Sequence, residues 1–551
     1  MPNTIKYNAS TEANALRVGN FHIGVRDVSK GPTSITGFYN GINPPSSGYT
    51  IYQNKASQGP SIICPSDDAQ LIIATNRIAG ASYTTVAQCF TFFAGQSDKF
   101  VMFNPINTMV TDGLVACFTA GTLPSYPRTG TTWYDISVED NDGTLTNSPT
   151  FNSKGWIDFD GVDDWCNIPN TNLVPSNVTS LTVGGLWKRN GDGSSYETIL
   201  HQSSNTSIGN SAYWFGWTND NIVCCTIGAR NGVGWAAGKT NIPATVGKWF
   251  YTVASWNGST VSVWVNGILK VTYNLSTYTN PGTVTRLGAS GNASGYLANG
   301  SIANIHINPN KAFTTSEMLQ NYYQGPIVTD DLVGAFDAGN LVSFENSTTT
   351  TYSLTGSLDG TLYNGVGFSN TANGSWIFDG VDDEIDFGNP SELSNTQVTV
   401  TFWYNPTTLM NSTHCGIING RTPGGRFCLF WINGTTLSTQ YRDDSGLSRA
   451  AGGVWTRSQA PTSISTVNKW YFIQITGDES TDEWRVGIDL NVSTTDFGSQ
   501  YVDPDSNQWL LGRRAYGSYD HSKIANLQIY DRILSQSEIT QNYNANVNLY
   551  N

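Results

Sequence analysis

Charge is scarce in this chain, and positive charge most of all. Only 13% of its 551 residues are Asp, Glu, Lys or Arg, and 42 acidic against 28 basic residues leave a net charge of −14. A nucleic acid or an anionic membrane surface calls for a basic face, so neither is an expected partner. No apolar run approaches the roughly 18 residues of a membrane span. Met1-Pro2-Asn3-Thr4-Ile5-Lys6 lacks the apolar stretch of a secretory signal, and a cytosol-compatible chain is the expectation. The eight Cys form no Cys-x-x-Cys pair and several fall on apolar strand positions, so they read as reduced core residues. Cys224-Cys225 reads as unbridged, because neighbours in a strand point to opposite faces. Catalytic signatures are missing too. There is no Gly-x-Ser-x-Gly elbow and no His-x-His pair, and His22, His201, His306, His414 and His521 occupy unrelated positions.

What the chain does have is Gly (56 residues), aromatics (12%) and an abundance of Ser, Thr and Asn. That composition favours short strands joined by turns, and the length calls for two to four domains. Phe159-Asp160-Gly161-Val162-Asp163-Asp164 recurs as Phe378-Asp379-Gly380-Val381-Asp382-Asp383, and the same ordered landmarks surround both. Thr111-Asp112-Gly113-Leu114-Val115 answers to Thr329-Asp330-Asp331-Leu332-Val333, and Asp142-Gly143-Thr144-Leu145 to Asp359-Gly360-Thr361-Leu362. Lys248-Trp249-Phe250-Tyr251 answers to Lys469-Trp470-Tyr471-Phe472, and Gln320-Asn321-Tyr322 to Gln541-Asn542-Tyr543. The spacing between copies drifts only from 217 residues (Asp142 to Asp359) to 223 (Val265 to Ile488), which is a tandem duplication with few insertions.

Local chemistry gives the module its fold. Asn257-Gly258 and Asn266-Gly267 punctuate alternating apolar runs, which is the signal of tight hairpins in an antiparallel meander. Thr314-x-x-Glu317 and Ser535-x-x-Glu538 are capping boxes that start a short helix after the last strand. A two-sheet sandwich with one terminal helix is predicted for each copy. Residues 1–108 stand outside the repeat. Strands over Asn20–Val25 and Gly48–Tyr52, a short helix from Ser66 and a longer one from Thr84 to Phe93 predict a small α+β domain. The boundaries are therefore 1–108, 109–326 and 327–551.

The ordered set resembles the concanavalin A-like/laminin G-like jelly rolls, in particular those carried by structural proteins of tailed bacteriophages. It runs Gly-Leu-Val…Ala-Gly, Ser-Tyr-Pro…Thr-Trp-Tyr-Asp, Asp-Gly-Thr-Leu, Phe-Asp-Gly-Val-Asp-Asp, Lys-Trp, Val-Asn-Gly and Ser-Glu…Asn-Tyr. The match covers about 110 to 551, and the second copy departs from it at Ser343-Phe344-Glu345 and Ile488-Asp489-Leu490. The segment before it resembles the leader domain that precedes such modules. The resemblance implies a mainly β chain of two tandem jelly rolls behind a docking domain. It also implies a non-enzymatic virion protein, surface-exposed as capsid decoration, head fibre or tail fibre, with other virion proteins as partners. A homo-oligomer such as a trimer is expected, and the alternative is an adhesin for host-surface glycans.

Three groups of residues carry candidate chemistry. Asp160, Asp163 and Asp164, with Asp379, Asp382 and Asp383, offer oxygens to Ca²⁺, which relatives of this fold hold; the competing reading is a strand–turn–strand corner whose Asp side chains cap their own backbone. No other cofactor is expected. Trp214, Trp217 and Trp235 lie in a Gly- and Asn-rich region and could stack on sugar rings, with Tyr213, Phe215 and Trp217 on one strand face and Trp214 on the other. A glycan-cleaving enzyme would need two carboxylates flanking the bond. The densest acidic run, Asp478 to Glu483, falls where a hairpin turn belongs, so no enzyme is expected.

Overall fold

In the computed structural model, residues 109–550 are described apart from short loop stretches, the longest of them 389–395, 410–415, 444–455 and 494–507. Before residue 109 only three short strands and residues 82–85 and 88 are described. Those strands, Leu16–Val18, Phe21–Ile23 and Ile51–Gln53, pair antiparallel in chain order. Two of them overlap the expected strands, and nearly all of the expected helical segments lie outside the described residues. The chain divides into two units, Met1–Gly325 and Pro326–Asn551.

Each jelly roll is a pair of eight-stranded antiparallel sheets. In the first unit one sheet is centred on Leu181–Arg189, which pairs with Trp249–Trp256 on one side and Asn299–Pro309 on the other. The Asn-Gly hairpins fall where the sequence placed them, joining Trp249–Trp256, Thr260–Val265 and Ile268–Asn274. The first strand, Ala116–Thr119, pairs with the last, Asn299–Pro309, so the module closes start to end. The facing sheet runs from Lys239–Pro243 through Ile222–Ile227, Tyr213–Trp217, Glu197–Gln202, Thr285–Leu287, Trp165–Ile168 and Gly143–Thr146 to Thr132–Trp133. The second unit repeats this order, with Gln397–Pro406 between Tyr471–Asp478 and His521–Tyr530.

The core lies between the sheets. Phe118, Val183, Trp187 and Phe250 from one sheet meet Tyr213, Phe215, Trp217 and Leu287 from the other, and Trp187 stacks on Trp217 at 5.5 Å. All nine residues of Leu181–Arg189 are buried although their side chains alternate in direction. One face looks into the core, and part of the other is closed by the terminal helix, where Tyr322 stacks on Tyr251 at 5.8 Å.

That helix, Thr315–Tyr322, starts at the predicted capping box, with Thr314 Oγ1 accepting the Glu317 N–H and the Glu317 carboxylate accepting the Thr314 N–H. Its counterpart Gln536–Tyr550 starts the same way at Ser535 and Glu538, and Arg532 adds a bidentate grip on Glu538 at 2.7 and 3.0 Å. In both copies the repeated Asn of the helix accepts a backbone N–H from just before the first strand. Asn321 Oδ1 takes Val110 at 2.7 Å, and Asn542 Oδ1 takes Val328 at 2.8 Å. Buried Cys117, Cys166, Cys224, Cys225 and Cys428 are free thiols.

Candidate functional site

The repeated acidic stretch is a corner between two strands, Trp156–Asp160 and Trp165–Ile168 in the first copy and Ser375–Asp379 and Glu384–Asp386 in the second. Gly161 and Gly380 turn it at φ 76° and 79°. A Cβ there would lie within 3 Å of Asn299 or His521, so only glycine fits. Asp160 Oδ1 accepts the N–H groups of Val162 (2.8 Å) and Asp163 (3.2 Å), and Asp164 Oδ2 accepts that of Asp160 at 3.1 Å. Asp379 and Asp383 make the same three bonds at 2.8, 3.4 and 2.9 Å. The turn tip is pinned from outside by Asn147 Nδ2 on the Asp163 carbonyl and Asn364 Nδ2 on that of Asp382.

Electrostatics separate the three carboxylates. Burial works against the Asp160 carboxylate, but the N–H groups it accepts outweigh that and lower its pKa. Asp164, buried at the base of the corner, is pushed up to about 6, first by burial and then by repulsion from Asp160 and Asp163. Asp383 is likewise pushed up to about 6 by burial, with Asp379 and Asp382 adding, and its Oδ1 has no hydrogen-bond partner among the described residues. In each corner one oxygen from each of the three carboxylates lies within 4.8 Å of the others. That all-oxygen donor set fits a hard divalent cation such as Ca²⁺. Two of the three carboxylates in each corner, Asp160 and Asp164 or Asp379 and Asp383, already cap the corner's own backbone, so the turn forms without one. The second copy adds Glu384, which Arg513 meets at 2.6 Å; the first has Trp165 at that position.

The aromatic candidates are redistributed. Tyr213, Phe215 and Trp217 do share the core face, and Trp214 points the other way, into a small separate cluster with Ile208 and Cys224. Trp214 and Trp217 are both 0% exposed, however, and neither has a face to offer a sugar ring. The correction has a clear cause for Trp214. Loops cover the outer surface of its sheet, and Thr198 Oγ1 takes the indole N–H at 2.9 Å. Trp235, on a short 3₁₀ turn, remains half-exposed and packs edge-on against Tyr196 at 4.9 Å, with Tyr296 5.8 Å beyond. Tyr196 and Tyr296 were not candidates from the sequence, because they sit in separate loops about a hundred residues apart. A pointer does exist in Tyr296, a bulky residue held at φ 53°.

The acidic run of the second copy is a turn. Asp478 closes the strand Tyr471–Asp478, its Oδ1 accepting the Ser480 N–H and hydroxyl while Oδ2 accepts Gln397 Nε2 at 2.7 Å. Glu483 is exposed and pairs with Arg485 at 3.4 Å. His201 and His306 are fully buried within hydrogen-bonded surroundings, Nε2 of the first on Ser211 and Nε2 of the second on Tyr251.

Solved structures to which the chain is similar include domain 4 of AbnA, a GH43 extracellular arabinanase from Geobacillus stearothermophilus. It is 17% identical, with 38% of this chain and 98% of that one covered at TM-score 0.27. The sialidase of Trypanosoma rangeli is 12% identical over 60% of each chain at TM-score 0.29. A structure of botulinum neurotoxin type C, whose cell entry depends on two ganglioside molecules, is 14% identical over 76% of this chain and 94% of that one at TM-score 0.32. No curated protein matches the chain. The laminin-G-type family described as the concanavalin A-like lectin/glucanases superfamily matches twice, over residues 160–317 and 379–540, each match opening at the acidic corner and ending in the terminal helix. With both copies matched, the chain belongs to the concanavalin A-like lectin/glucanases superfamily.

Proposed function

We propose that this chain is a non-enzymatic structural protein of a tailed-phage virion. Residues 1–108 dock it to the particle or to sister subunits, and the two jelly rolls project outward as capsid decoration, head fibre or tail fibre. One observation carries the reading beyond the resemblance of the ordered motifs. The features that recur in both copies are devices that hold the module together: the corner whose carboxylates cap their own backbone, the capping box, and the helix Asn on the first strand. The histidines do not recur with them, as His306 against Gln528 illustrates. Duplicated scaffold with diverging surface suits display better than turnover. The test is labelled-antibody microscopy of purified particles. Label on capsid or tail supports the proposal, and particles free of the protein sink it. Oligomerisation follows from the role, and a monomer by sedimentation at micromolar concentration counts against it.

A second reading, a host-glycan adhesin, is favoured by the half-exposed Trp235 and its neighbours Tyr196 and Tyr296, since aromatic faces stack on sugar rings. Glycan-array binding that is lost in Trp235→Ala would support it. A blank array across host polysaccharides would remove it.

A further inference from the structure

The two terminal helices differ in length. Thr315–Tyr322 has 8 residues and Gln536–Tyr550 has 15. With Tyr322 matched to Tyr543, the second helix runs on through residues 544–550, where the first copy leaves its helix at Tyr323 and turns at Gln324, φ 55°. Three of those added residues are Asn, one of the poorer helix formers. Contacts of the extension, and not its own propensity, therefore hold it in place. Val547, Leu549 and Tyr550 join Trp403, Phe472 and Ala525 in a cluster on the outer face of the sheet.

Tyr550 takes a place that the first copy fills differently. There Trp156 packs edge-on against Trp249 at 5.1 Å, both rings arising from the sheet itself. In the second copy Trp470 stands for Trp249, but Ser375 stands for Trp156. The missing ring comes from the helix: Tyr550 meets Trp470 at 5.0 Å and stacks on Trp403 at 4.8 Å. A carboxylate enters the same neighbourhood, since Asp337 stands where the first copy has Thr119. It follows Phe336, a core residue opposite Leu527, so its own side chain turns to the helix side, at 2% exposure. The Gly339 N–H donates to its Oδ1 at 2.9 Å, the Asn526 amide lies beside it, and its charge reaches the Tyr550 phenol. Among the described residues no Lys, Arg or His offsets that charge. Glu538, the one charged side chain of the helix, is held by Arg532 in the first turn.

We infer that residues 544–550 are a latch governed by the charge on Asp337, seated on Trp403 and Trp470 while the carboxyl is neutral and released when it ionises, uncovering both rings. Burial pushes the Asp337 carboxyl up to about 7, and water reaches it when the latch lifts, returning it to the ordinary 3.8. Seating is thus unpenalised below 3.8; the penalty grows as pH climbs from there and is complete above about 7. The latch does not depend on whether the chain rides on a particle. The first copy, with Thr119 and Trp156 in place of Asp337 and Ser375, lacks it.

Hydrogen-exchange mass spectrometry of the full chain between pH 5 and pH 8, corrected for the intrinsic effect of pH on exchange, tests it. Residues 544–550 should lose protection by at least about tenfold over that range, while residues 315–322 keep theirs. Asp337→Asn, which retains an oxygen for the Gly339 N–H, should hold the protection of 544–550 level throughout. Tyr550→Ala should leave 544–550 unprotected even at pH 5, with the strand Tyr471–Asp478 still protected. Should Asp337→Asn fail to fold, Asp337→Thr supplies the residue of the first copy. The parent alone is decisive as well: equal protection of 544–550 at pH 5 and pH 8 overturns the inference. So does a loss in the Asp337 variant as large as in the parent.

Discussion

Removing one charge from each acidic corner should stabilise this protein at neutral pH, against the usual expectation for a repeated motif. Asp164 and Asp383 are buried at the base of their corners and titrate near 6, against an ordinary value of 3.8. Because the folded pKa is raised, ionisation above it disfavours the folded state. The penalty is absent below about 3.8, grows as pH climbs from there to about 6, and is complete above that. A shift of this size corresponds to ~3 kcal/mol, which solvent at the rim of the sandwich screens to about 1–2 kcal/mol per corner. Asp164→Asn and Asp383→Asn remove the charge and keep an oxygen to accept the Asp160 or Asp379 N–H. Denaturant unfolding of each variant beside the parent, in chelator, should show a gain of about 1–2 kcal/mol at pH 7 that shrinks through pH 6 and disappears below pH 4. The comparison with the parent cancels other titrating groups, including buried Asp337, which burial pushes up to about 7. If the variants are instead less stable by a constant amount at every pH, the carboxylates are wanted as charges and the reasoning fails. Added Ca²⁺ gives the complementary reading: ion bound at the corner stabilises the parent and not the variants.

Three further outcomes follow from the packing. Asn542→Ala strands the Val328 N–H and removes a contact to the Tyr530 hydroxyl, and should cost about 1–3 kcal/mol in denaturant unfolding; Asn321→Ala, which strands the Val110 N–H and removes a side-chain contact with Tyr251, should cost a similar amount. Glu538→Ala removes both the cap and the Arg532 grip and should cost about 1–2 kcal/mol. Those contacts hold Glu538 down to about 2, so its stabilisation is present above the unfolded value of 4.5 and is lost as pH falls through 2. Peptide mapping after native iodoacetamide treatment should find Cys117, Cys166, Cys224, Cys225 and Cys428 unmodified, since all are buried thiols, and early labelling at any of them would contradict the core described above.

Much of the architecture was legible because its causes are local. Capping boxes, Asn-Gly hairpins and the Asp-Gly corner act over three to six residues, and a duplication prints each of them twice. Contacts between distant loops leave no such trace. Trp214 was correctly assigned to the face opposite Tyr213 and Phe215, but its burial depends on loops that the alternation of one strand says nothing about. Trp235 could be proposed from its surroundings, whereas its partners Tyr196 and Tyr296 could not. That the facing pair Val253 and Trp264 of the first copy is exchanged for Gln474 and Gly487 in the second shows only once strand register sets each pair face to face.

The Asn321 and Asn542 bonds have a mechanical consequence. Each joins the entrance of its jelly roll to the helix at its exit, residues 211 and 214 positions apart in sequence. Tension applied to the two ends of a module is therefore shared between this tie and its neighbours, which in the second copy are the Gln541 amide on the Pro326 carbonyl and Tyr550 packed on Trp403. The paired strands behind them are loaded through the helix. Under shear, such a module would yield first by a small, reversible peeling of its terminal helix, with the strands still paired.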